Sequence, residues 1–173
     1  KLKLTYSHYD RMIIGGVLPL KKSVALSNPS ELRAEYFLER RELGIINIGG
    51  KGEVVVDGKK HGLKKLESLY VGKGAKKVTF SSADKKDPAK YYLLSAPAHH
   101  THPTQKFTKE QASPVALGDA ATSNKRTVYK YIHRDGIQSC QLVMGLTVLE
   151  KGSVWNSVPP HTHTRRMEVY LYF

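Results

Sequence analysis

The sequence predicts an all-β protein, a sandwich or barrel, from two observations. Apolar and β-branched residues fall into short runs with period-two alternation, as in Glu53-Val-Val-Val56 and Arg126-Thr-Val-Tyr-Lys-Tyr-Ile132. Turn signals punctuate those runs at nearly regular spacing, among them Asp57-Gly58, a hairpin dipeptide, and Gly49-Gly-Lys-Gly52. Many short strands separated by such turns close into a sandwich or barrel.

The elements follow in order. Strands are expected over Lys3–His8 and Arg11–Leu18, the second continuing past Pro19 into Ser23–Leu26; Gly15-Gly16 inside it marks a bulge or a close backbone approach. Asn28-Pro-Ser-Glu31 is a turn that can cap a short helix. Strand character resumes over Tyr36–Ile48, Glu53–Val56, Leu66–Val71, Lys77–Phe80 and Lys90–Ser95. From Ala96 to Lys125 the pattern dissolves into Pro, His, Thr and Gly, with room for one helical turn at Lys109–Ala112. Strands return at Arg126–Ile132 and Ser139–Leu149. The irregular stretch divides the chain into an N-terminal domain over 1–105, a crossover over 106–127 and the start of a second domain over 128–173. Because the sequence opens without Met and stops inside an alternating run, the second domain is expected to be incomplete here.

Bulk properties narrow the class. Of the 173 residues, one is cysteine, so no internal disulfide framework exists and a reduced, cytoplasmic setting is the expectation. No apolar run approaches the roughly eighteen residues of a membrane span, and Lys1-Leu-Lys-Leu4 is not a signal peptide, so no membrane partner is expected. The net charge of +13 invites nucleic acid. Its distribution argues otherwise: Lys59-Lys60, Lys64-Lys65, Lys76-Lys77 and Lys85-Lys86 are scattered pairs in turn-like segments, not a stripe on one element. A positive field that draws in a small anionic substrate is the functional reading of that charge.

The chemistry is concentrated at His161-Thr-His-Thr-Arg-Arg-Met-Glu168. Residues two apart on a strand share a face, so His161 and His163 aim two imidazoles at one point. Glu168 lies an odd step further and joins them only if the chain turns between Thr164 and Met167. It then opens a strand with Val169, Leu171 and Phe173 on one face and Tyr170 and Tyr172 on the other. Two imidazoles and a carboxylate suit zinc, manganese, iron or nickel. Arg165 and Arg166 at the turn are either exposed turn residues or a guanidinium clamp for a substrate carboxylate. His99-His-Thr-His102 is a second, weaker histidine cluster, placed between prolines without a nearby carboxylate. Cys140 has no neighbouring base or charge pattern of a nucleophile and reads as a buried apolar side chain.

A weak internal repeat lays Arg11–Leu26 on Gln141–Asn156, matching Gly15 with Gly145, Lys21 with Lys151, Ser23 with Ser153 and Val24 with Val154. Each copy then carries an arginine pair and a glutamate, Arg40-Arg41-Glu42 and Arg165-Arg166 with Glu168. The first copy has Glu35–Leu38 where the second has its histidines, so the N-terminal domain is expected to lack metal ligands.

The histidine stretch resembles the first metal motif of the cupins. More specifically, Tyr36–Gly50, Tyr70–Lys76, Ala96–His99, Cys140–Gly145 and His161–Tyr170 resemble the 5-keto-4-deoxyuronate isomerases, bicupin enzymes of pectin and uronate breakdown. That resemblance implies two cupin-like β-barrel domains, a homohexamer and one zinc ion per subunit, held by His161, His163, Glu168 and a fourth ligand, a histidine expected beyond Phe173. It implies the interconversion of 5-dehydro-4-deoxy-D-glucuronate and 3-deoxy-D-glycero-2,5-hexodiulosonate, an intramolecular ketol isomerisation of a small anionic sugar acid. No acid/base residue is assigned; Tyr170 and Tyr172 are candidates. The alternatives are a metal-dependent cupin oxygenase and a non-catalytic sugar-binding cupin.

Overall fold

In a computed structural model that describes residues 1–155 and 167–173, period-two alternation decides almost every contact. The strands are β1 (Leu2–Tyr6), β2 (Ile13–Val17), β3 (Val24–Ala25), β4 (Arg41–Asn47), β5 (Gly52–Val56), β6 (Lys59–Leu63), β7 (Ser68–Val71), β8 (Val78–Ser82), β9 (Tyr91–Pro97), β10 (Gln105–Phe107), β11 (Val115–Leu117), β12 (Arg126–Ile132) and β13 (Met144–Leu149). Short 3-10 turns at Tyr9–Arg11 and Ser30–Leu32 complete the regular structure, the second at the predicted Asn28–Glu31 turn. All named pairings are antiparallel. One sheet runs β1-β2-β9-β4-β7-β10, a second β3-β8-β5-β6, and a third β11-β12-β13. The first two face each other as a cupin-like barrel, and the third begins a further all-β unit.

The first core lies between the two larger sheets. Leu43 and Ile45 of β4, Leu69 and Val71 of β7, Leu93 of β9, Val54 and Val56 of β5 and Phe80 of β8 fill it, with Phe37 and Leu38 packed in from the turn before β4. The alternate residues of the same strands, Ile46, Tyr70, Leu94 and Ala96, point the other way into a second core. There they meet Tyr131, Ile132, Ile137, Leu142 and Met144 of the following unit. All seven residues of β4 are therefore buried, because both its faces are covered.

Local chemistry explains the turns. Asp57 and Gly58 both adopt positive φ, 47° and 86°, which is the two-residue turn whose twist matches a β-hairpin. The Asp57 carboxylate then accepts the Lys76 and Lys77 backbone N–H groups and ties the hairpin to the next loop. The buried Asn47 side chain donates to the Gly50 and Leu63 carbonyls and accepts from the Gly49 and Lys90 N–H groups, so the 48–51 turn has a fully satisfied polar anchor.

Several expectations are corrected. The strand expected from Tyr36 begins only at Arg41; the apolar residues before it are buried as a turn that plugs the barrel, and burial without a ladder leaves the same sequence pattern. Lys59-Lys60 is not a turn but the opening of β6, a sheet-edge strand, where lysine is a usual protective residue. Strand β2 keeps a continuous register on both sides, so Gly15 marks no bulge. It marks a close approach: a Cβ there would lie 3.0 Å from the Lys3 carbonyl oxygen. The irregular 96–125 stretch contains β10, paired with β7, and β11, paired with β12, together with a single turn closed by Ala112 N–H on the Lys109 carbonyl. Gly15 and its repeat partner Gly145 each sit on the second strand of an antiparallel pair, opposite Leu4 and Lys130.

Candidate functional site

Of the metal motif, only Met167 and Glu168 fall within the described residues. His161, His163, Arg165 and Arg166 lie outside the described residues. Glu168 lies within them and is exposed. Just before it, the Met167 N–H donates to Asp10 Oδ2 (3.1 Å) in the β1–β2 turn, and Val169 packs against the second core. The Tyr170 hydroxyl donates to Glu168 Oε2 at 2.8 Å. That bond, with a little burial and the carboxylate's charge, raises the Tyr170 pKa above the usual phenol value. Tyr170 and Tyr172 stack at 6.5 Å and 22°, and Tyr170 also lies 6.2 Å from the Trp155 ring.

Residues 167–173 therefore keep the alternation read from the sequence, with Glu168, Tyr170 and Tyr172 on one side. They belong to none of the sheets formed by the described residues, and the expected partner stretch at His161–His163 lies outside those residues. Among the described residues no three His, Cys, Asp or Glu side chains gather as a metal-binding group. The donor types of the motif, two imidazoles and a carboxylate, fit a divalent metal such as zinc, manganese, iron or nickel, and the carboxylate among them accepts a phenol O–H.

A second carboxylate, Glu42 near the start of β4, joins the barrel to the loop between β12 and β13, a structural role the sequence reading does not assign to it. Fully buried, it accepts four hydrogen bonds. Oε2 receives the Tyr70 hydroxyl (2.8 Å) and the Cys140 N–H (2.7 Å); Oε1 receives the Gln141 (2.7 Å) and Leu142 (2.9 Å) N–H groups. The repeat matches Glu42 with Glu168, but its parity on β4 turns it away from the first core and toward the loop entering β13. Burial first, then the bond to Glu42 and its charge, push the Tyr70 phenol far above its usual pKa. The sequence signal was available: a lone acid at the head of the apolar run Leu43-Gly-Ile-Ile46 must find donors if that strand is buried.

Its neighbour Arg41 points the other way. The guanidinium donates to Ser95 Oγ (3.1 Å), the Ser95 carbonyl (2.7 Å) and the Arg11 carbonyl (2.6 Å), pinning the β1–β2 turn to β9. Burial, against a smaller opposing effect of Tyr6, lowers its pKa to about 10. The second histidine cluster is a surface feature. His99 stacks on His100 at 5.7 Å, and the His100 and His102 rings meet edge-on at 6.2 Å. His102 lines a shallow cleft of about 290 Å³ with His61, Lys59 and Lys73. Cys140 is half-buried, its thiol within 3.3 Å of the His100 backbone N–H and carbonyl, polar contacts in place of the buried apolar setting expected.

Comparison with known proteins places this architecture. The chain is 59% identical over 98% of its length to the 4-deoxy-L-threo-5-hexosulose-uronate ketol-isomerases of Yersinia pestis (strain Pestoides F) and Yersinia pseudotuberculosis serotype I (strain IP32953). It spans 62% of the length of those relatives. Among solved structures, an iolb-like protein from Salmonella typhimurium LT2 superposes with a TM-score of 0.51 at 13% identity, over 69% of this chain and 43% of that one, a likeness of fold alone. No described helix is long and apolar enough to cross a membrane. The profile of the KduI/IolB family matches residues 4–172, and with identity to its relatives sustained over nearly the whole sequence, the chain belongs to the KduI/IolB family.

Proposed function

We propose that the protein carrying this chain is a zinc-dependent ketol-isomerase that interconverts 5-dehydro-4-deoxy-D-glucuronate and 3-deoxy-D-glycero-2,5-hexodiulosonate. The observation that carries the reading is the 59% identity over 98% of the chain to 4-deoxy-L-threo-5-hexosulose-uronate ketol-isomerases. His161, His163 and Glu168 would hold the metal, with a fourth ligand from residues beyond Phe173. Bound zinc would supply Lewis-acid polarisation of the substrate carbonyl.

The chain's own residues then have distinct tasks. An aldose–ketose step removes a proton from one carbon and returns it to the neighbouring one through an enediol. Glu168, committed as a ligand, is not the proton carrier. Arg165 or Arg166 would take the sugar-acid carboxylate as a bidentate pair and so set which end of the substrate faces the metal. The net charge of +13 would raise the local concentration of an anionic substrate. The reading includes a homohexamer, a cytoplasmic location and a place in pectin and uronate degradation, the setting the family resemblance implies.

The full-length protein, loaded with zinc, is expected to isomerise the deoxyuronate anaerobically, to lose that activity on chelation and to regain it with zinc. Normal zinc binding without isomerisation would sink the assignment. Iron in the isolated protein together with oxygen uptake would favour the oxygenase reading, which the same three ligands also suit.

A further inference from the structure

We propose that Tyr170 is a positioning residue for the metal carboxylate, fixing Glu168 through its hydroxyl. The inference rests on the zinc reading above. It is carried by a contact nothing in the motif itself requires: Tyr170 Oη donates to Glu168 Oε2 at 2.8 Å. A glutamate side chain has three rotatable bonds, and its freedom must be lost before it can serve as a ligand. A donor on one oxygen removes much of that freedom before metal arrives and selects which face of the carboxylate is presented.

The tyrosine is itself held. Its ring stacks on Tyr172 at 6.5 Å and 22° and lies 6.2 Å from Trp155, in the segment that follows β13. The intervening Val169 is anchored in the second core, and the Met167 N–H is tied to Asp10. A backbone hydrogen bond before Glu168, a packed side chain after it and ring contacts to Tyr170 accompany one hydroxyl aimed at one carboxylate oxygen. The arrangement follows from period two: the residue two along from Glu168 shares its side and reaches it.

The test uses the full-length protein and zinc competed against a chromophoric chelator. Tyr170→Phe keeps the ring and its stacking and removes only the hydroxyl. It is expected to raise the zinc Kd about 10-fold or more, within the range seen when an outer partner of a metal ligand is lost. The thermal midpoint of its metal-free form should match the parent's. Tyr172→Phe, which keeps the stack and leaves the Tyr170 hydroxyl in place, should bind zinc as the parent does. As a second readout, the visible absorption of the cobalt-substituted protein should change in Tyr170→Phe and not in Tyr172→Phe. Parent-like zinc affinity and cobalt spectrum in Tyr170→Phe would overturn the proposal while leaving the zinc reading intact. So would equal losses in both tyrosine variants, which would assign the effect to packing. A parent protein that binds no zinc would remove the metal reading and this inference together.

Discussion

Glu42 and Glu168 show how one residue type serves opposite ends by environment. Glu42 is fully buried among four donors, three of them backbone N–H groups from the loop between β12 and β13. Removing the carboxylate would strand those donors away from water, the costly half of any buried hydrogen bond. Glu42→Ala is expected to lower stability by on the order of 3 kcal/mol, measured by urea denaturation, whereas a loss under about 1 kcal/mol would show the loop to be held by packing alone. Glu42→Gln is no substitute. An amide NH₂ would face the Cys140 N–H or the Gln141 and Leu142 N–H groups, donor against donor.

At the level of elements, β4 is the wall between the two cores, and Gly44 is the point where the second unit comes closest to it. A Cβ at Gly44 would lie 2.7 Å from Met144 Sδ and 3.0 Å from Ile132 Cδ1, both side chains of the β12–β13 pair. Gly44→Val therefore overpacks this contact, at about 1 to 3 kcal/mol. The expected outcome is loosening of the β12–β13 hairpin with the first barrel intact: faster proteolysis within 118–125 and an unchanged cutting rate within 1–105. Unchanged rates in both regions would show that the two cores do not depend on this approach.

For the whole molecule, the phenols buried at and beside the junction predict an alkaline limit. Tyr70, Tyr91 and Tyr131 have raised pKa values, in each case chiefly through burial, and burial raises Tyr92 to about 12. Tyr131 reaches across the junction, its hydroxyl donating to the Leu66 carbonyl. In the unfolded chain these groups release protons near pH 10, while the folded chain retains them. The unfolded state thus binds fewer protons above that pH, and stability falls as pH rises, by up to about 1.4 kcal/mol per pH unit for each such tyrosine. Below pH 10 they contribute no slope. Absorbance at the tyrosinate band should show exposed phenols titrating first and these only with loss of fold; complete titration of all 10 tyrosines near pH 10 with the fold intact would contradict this.

The sequence by itself determined the fold class, most strands and the Asp57-Gly58 hairpin, because alternation and turn dihedrals are local properties. It did not show that Tyr36–Arg40 is a plug instead of a strand, that Lys59-Lys60 opens an edge strand, or that the 96–125 stretch contributes β10 and β11. Those depend on which distant strand offers a ladder partner. Nor did it separate Glu42 from Glu168, which stand at matched places in the repeat. Only tertiary structure turned Glu42 away from its own barrel, since the face a strand residue takes is set by which core claims its neighbours, Leu43 and Ile45 on one side and Ile46 on the other.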